Sequence, residues 1–133
     1  MNKSVGEREL LINGRRFQLR PDFSSLVEIE ELTGKTIMQL MASFANAGLL
    51  SAKDIIYVLY ATAKSGDEKF NYDLKEFGQM ILDEGDGPYG YMEIAAEMIS
   101  FVMTGGKKKE DEDLKEPLVQ ETMSTGETSI TQQ

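Results

Sequence analysis

Three groups of side chains in this sequence have types and spacings that invite a chemical reading. Glu28, Glu30 and Glu31 crowd carboxylates together, and a carboxylate pair can run glycoside hydrolysis when a cleft holds the sugar between its members. Asp83-Glu84-Gly85-Asp86-Gly87 has the acidic, glycine-rich look of a calcium loop. Asp86-Gly87-Pro88-Tyr89-Gly90 has the glycines of a phosphate cradle. Each falls short of what its chemistry needs. A calcium loop counted from Asp83 has Gly85 and Gly87 at its third and fifth positions, where oxygen ligands belong. No Lys-Ser or Lys-Thr follows the second glycine group, and the neighbouring acids repel phosphate. The three glutamates lie in a chain with no Trp to form a sugar platform, and they read as solvated helix faces.

The missing residue types narrow the chemistry further. With no Cys and no His, the common zinc, copper and iron ligand sets and the Ser–His and Cys–His pairs are out of reach. No catalytic, metal-binding or cofactor-binding residue is assigned, and binding without catalysis is the expectation. The absence of Cys suits a reducing cytoplasm. A formal charge of −9 over 133 residues opposes nucleic-acid binding, which needs clustered Lys and Arg. The segment Met1 to Glu9 lacks a signal-peptide core, and no apolar run approaches a membrane span. Neither nucleic acid nor membrane is expected as a partner.

The elements that would position a binding surface are marked by turn and cap residues. Asn13-Gly14 between Glu9-Leu10-Leu11-Ile12 and Arg15-Arg16-Phe17-Gln18-Leu19-Arg20 predicts a two-residue β-hairpin. Leu10 then faces Phe17 and Ile12 faces Arg15. Leu10, Ile12, Phe17 and Leu19 share the packed face, and Arg16, Gln18 and Arg20 face water. Pro21 ends the second strand.

Five helices follow. Asp22 or Ser24/Ser25 caps the first, Ser25 and Glu28 have capping-box spacing, and Gly34 stops it after about Thr33. Phe23, Leu26 and Val27 form its apolar side together with Glu30. That position predicts partial burial of Glu30 and a partner such as Arg15 or Arg20. Thr36 caps the second helix, whose stripe is Ile37, Leu40, Met41 and Phe44 and whose end is Gly48. Ser51 and Asp54 open the third, which runs to Gly66; Ile55-Ile56-Tyr57-Val58-Leu59-Tyr60 alone could be a strand, but the cap before it and Ala61-Thr62-Ala63-Lys64 after it favour a helix, apolar on nearly every side and therefore central. Asn71 caps the fourth, with Leu74, Phe77 and Ile81 facing in. Pro88 stands in the first turn of the fifth, where Tyr91, Ile94, Ala95, Met98, Ile99 and Val102 recur at helical spacing up to Gly105-Gly106.

The fold class is therefore α+β and mainly α: an N-terminal hairpin, then a bundle of about five helices over residues 1–106. Residues 107–133 start with three lysines and four acids and have no apolar period, which reads as an acidic disordered tail. Both parts are acidic: residues 1–106 carry 10 basic and 16 acidic side chains, net −6, and the tail 4 and 7, net −3.

Eight methionines stand out. Met fills irregular cores, and it also recurs on adaptable binding surfaces. The fifth helix carries Met92, Ala96, Phe101 and Met103 outside its main stripe, and a bundle this small has trouble burying them together with the whole third helix. Surplus apolar surface marks a partner or oligomer interface. Met38, Met41, Tyr57, Met92, Phe101 and Met103 are the candidate partner-binding residues.

Residues 7–104 resemble a known family. Asn13-Gly14-Arg15-Arg16-Phe17-Gln18-Leu19-Arg20, then Asp22-Phe23-Ser24-Ser25-Leu26, Glu28, Glu30-Glu31 and Gly34, and the later Leu50-Ser51-Ala52-Lys53-Asp54, are similar to the tail-assembly chaperones of siphophages and gene transfer agents. The resemblance implies an N-terminal hairpin followed by helices. It also implies a partner, the long helical tape-measure protein, which such chaperones coat and keep soluble while tail-tube subunits assemble around it. Tail-tube protein as a further partner and self-association are both compatible with it. It implies residence in the host cytoplasm and absence from the finished particle, and it brings no catalytic residues. Two other roles fit the same composition. A small head–tail completion protein shares the size and the hairpin. An acidic inhibitor mimicking nucleic acid shares the charge, though the lysines mixed into the third and fourth helices sit poorly with it.

Overall fold

The computed structural model of the chain describes residues 7–104. Two strands, β1 (Arg8–Ile12) and β2 (Arg15–Leu19), precede five helices: α1 (Phe23–Thr33), α2 (Ile37–Ala47), α3 (Ala52–Gly66), α4 (Leu74–Leu82) and α5 (Met92–Thr104). The expected hairpin and five helices are present. The segment 107–133, read as a disordered tail, lies outside the described residues.

Asn13 and Gly14 take φ of 51° and 78°, the primed-turn geometry that matches strand twist. This turn sets the register, with Leu10 opposite Phe17 and Ile12 opposite Arg15. Leu10, Ile12, Phe17 and Leu19 are buried. The hairpin lies on α3, where Arg20 N donates to the Thr62 carbonyl at 2.9 Å. A Cβ on Gly66 would stand 1.8 Å from the Gln18 carbonyl oxygen, so only glycine permits this approach. That contact explains why Gln18, expected in water, is half-buried.

Helix α3 is the centre of the molecule. It packs against α1, β2, α4 and α5, and it buries Ile55, Val58, Leu59, Tyr60, Ala61 and Ala63. Its β-branched and aromatic run is helical because Ser51 caps it and its neighbours cover most of its circumference. Helix α2 lies against α5, with Ile37 and Leu40 buried and Met41 and Phe44 packed on the core.

Four local expectations are corrected. The capping box of α1 pairs Asp22 with Ser25, not Ser25 with Glu28: Ser25 N donates to Asp22 Oδ1 at 3.0 Å and Asp22 N to Ser25 Oγ at 2.8 Å. Asp73, not Asn71, caps α4, in a box with Glu76. Pro88 opens a separate 3₁₀ turn, Pro88–Tyr91, ahead of α5. The fourth correction matters most for function. The inward face of α1 is Ser25 and Ile29, both fully buried, flanked by Leu26 and Leu32. Phe23 and Val27 point to solvent. The box turns Ser25 toward the core, and Ile29 follows it one turn later.

Candidate functional site

A feature that bears on binding is the set of large apolar side chains left in solvent. Phe23 is 76% exposed and Val27 39%. They lie one turn apart on α1, and Glu30 continues the same stripe. Glu30 is half-buried as expected, but its partner is no arginine. Its Oε2 accepts from Ile37 N at 2.9 Å, satisfying a free amide of the first turn of α2. Arg15 instead donates to the Tyr72 hydroxyl, and Arg20 pairs with Glu7 at 2.6 Å. Glu7 holds the Arg20 guanidinium above its ordinary value, chiefly through that hydrogen bond.

Helix α2 carries the next exposed group. Met38 is 64% exposed and Leu49, just past the helix, 46%. Ala42 and Ala45, on the same stripe, are exposed too. From Thr36 to Ala52 the sequence has no charged residue, so the solvent face of α2 is uncharged. A third group comprises Leu11 on the hairpin and Leu82 and Tyr89 on the segment that meets it. There Asn13 N donates to Glu84 Oε2, and the Tyr91 hydroxyl donates to the Leu11 carbonyl at 3.4 Å. Burial, then the nearby Glu84 carboxylate, pushes the Tyr91 hydroxyl up to about 12.

The six residues proposed from sequence fall into two sets. Met38 and Met103 are exposed. Met41, Met92 and Phe101 are half-buried and packed on the core, and Tyr57 is half-buried. Met92 also has a structural role: its Sδ accepts from Leu50 N at 3.3 Å. The six come from α2, α3 and α5 and do not share one helix face. Phe23 and Val27 were missed as surface residues. Their signal was the stripe itself, which periodicity detects but cannot orient.

An open cleft of about 700 Å³ lies between the hairpin tip and α4, lined by Asn13, Arg15, Tyr72, Asp73, Lys75, Glu76, Gln79, Met80 and Asp83. Asp73 and Glu76 are engaged in the helix cap, and the Arg15 guanidinium lies over the Tyr72 ring at 5.7 Å. The remaining lining mixes both charges around Met80. Glu28, the other carboxylate of the acidic trio with a partner, pairs with Lys64 at 3.2 Å.

A two-stranded hairpin docked on a bundle of five helices, with apolar side chains standing in solvent on α1 and α2, defines a compact, mainly α domain of the α+β class. The sequence profile of the family described as phage tail tube protein, GTA-gp10, matches residues 5–105. The chain belongs to that family of phage tail proteins. No curated protein and no solved structure matches it.

Proposed function

We propose that this chain is a tail-assembly chaperone that binds the tape-measure protein, keeps it soluble and hands it to the assembling tube. In this reading it works by binding, without catalysis, in the host cytoplasm, and leaves before the particle is complete. The observation that carries the reading is the pair of exposed apolar faces on α1 and α2 of an acidic domain. Membership of a phage tail family supports it. A protein that must hold a long helical partner transiently needs apolar surface to grip it and net charge to keep the complex dispersed.

A second reading is favoured by the family's own description as a tail tube protein: a subunit that stays in the tail. The two differ in where the protein ends up. Mass spectrometry of purified particles against the producing lysate separates them. A chaperone is abundant in the lysate and absent from particles; stoichiometric presence in particles assigns the chain to the tail structure.

A further inference from the structure

We infer that the solvent faces of α1 and α2 form one continuous docking surface, and that its occupant is an amphipathic helix of the partner with basic residues along one flank. This rests on the chaperone reading and names the site and the partner chemistry within it.

Continuity follows from the Glu30 bond. Phe23, Val27 and Glu30 stand at i, i+4 and i+7 on α1. Glu30 reaches the amide of Ile37, and the next residue is the exposed Met38. The α1 stripe therefore runs into the first turn of α2. From there Met38, Ala42 and Ala45, at i, i+4 and i+7, carry the exposed face along α2, and Leu49, just past the Gly48 cap, is exposed beyond its end. Large side chains stand at both ends and small ones between them, a relief that accepts a helix laid along it.

Charge selects the occupant. The α1 end is bordered by carboxylates: Glu31 is exposed, and neither it nor Glu30 is paired with a cation among the described residues. The nearest lysine in sequence, Lys35, is taken by Asp54 at 2.6 Å. Lys53, four residues past Leu49 in the sequence and at the start of α3, is a cation, so the acidic flank is assigned to the α1 end. A second copy of this chain would set Glu31 against another acidic domain of net −6 (10 basic and 16 acidic side chains in residues 1–106). A helix with a basic flank meets the same surface without that repulsion.

The test uses the full chain and the tape-measure protein of the same gene cluster. The combined substitution Phe23→Ser, Val27→Ser and Met38→Ser changes only exposed positions, and circular dichroism and thermal unfolding check that the fold is kept. It is expected to weaken partner binding by about tenfold or more. Glu31→Lys is expected to slow association at low salt and reduce its salt dependence, with little effect on dissociation. If the wild-type chain binds and the triple variant binds equally well, the surface is wrong while the chaperone reading stands. If the wild-type chain does not bind at all, both fall. If the triple variant alters only self-association in sedimentation, a second copy covers this face. Faster association of Glu31→Lys would overturn the basic flank.

Discussion

Lys35 and Asp54 tie the turn between α1 and α2 to the first turn of α3. The Asp54 residue is 2% exposed and its carboxylate is bonded to Lys35 Nζ at 2.6 Å. The two partners are unequal, because the Lys35 side chain is 42% exposed. Lys35→Ala leaves a buried carboxylate unpaired and is expected to cost about 1–3 kcal/mol. Asp54→Ala frees a lysine that water can solvate, and is expected to cost less. Urea unfolding of the two single variants and the double variant measures the asymmetry; equal losses would refute it. Tyr91 supplies a pH signature. Its hydroxyl is raised from 10.0 to about 12, so the folded state holds this proton when the unfolded chain has released it. The stability it contributes is complete below pH 10 and is lost as pH rises from 10 toward 12. Tyr91→Phe is expected to flatten the decline of stability across that window relative to wild type. An unchanged slope would show that burial and the nearby Glu84 do not raise the hydroxyl in the folded state.

At the scale of elements, the packing between the hairpin and the helices is held by rings and by one close backbone approach. Phe17, Tyr60, Phe70, Tyr72 and Phe77 form a cluster with centroids 5.4–6.0 Å apart, joining β2, α3, α4 and the segment between those helices. Phe77, fully buried at its centre, is expected to cost about 3–5 kcal/mol when cut to alanine. Gly66→Ala pushes a methyl into the Gln18 carbonyl and is expected to cost about 1–3 kcal/mol or more. Thermal unfolding checks both, and a neutral Gly66→Ala would mean the hairpin shifts freely on α3. Here the limits of the sequence are also plain. Asn13-Gly14 made the hairpin register legible because a two-residue turn leaves no freedom in pairing. Thr36, Ser51, Gly34 and Gly48 marked helix ends because caps act within one turn. Phe70 and Tyr72 carried no periodic signal, since they lie in an irregular segment and meet Phe17 across the fold. The stripe of α1 was visible, but its direction depended on Ser25, whose burial follows from a cap shared with Asp22. Four residues away, Ile29 was the better guide to the core than the more numerous Phe23, Leu26 and Val27.

For the whole molecule, the charge and the exposed apolar faces work together. Helices α1 and α2 leave Phe23, Val27 and Met38 in solvent, with Leu49 exposed just past α2, while the chain keeps a net charge of −9. Such a surface invites association, and like charge opposes association of the chain with itself. Of the six binding residues expected from sequence, Met38 and Met103 lie in solvent. Composition revealed that there was more apolar surface than a small bundle could bury; it held no information on which helix would present it. The most direct test is co-expression with the tape-measure protein from the same gene cluster, reading how much of that protein stays soluble and co-purifies. The tape-measure protein is expected to be soluble only when this chain is present, and to elute with it in the absence of other tail proteins. A tape-measure protein whose solubility is indifferent to this chain would contradict the chaperone function.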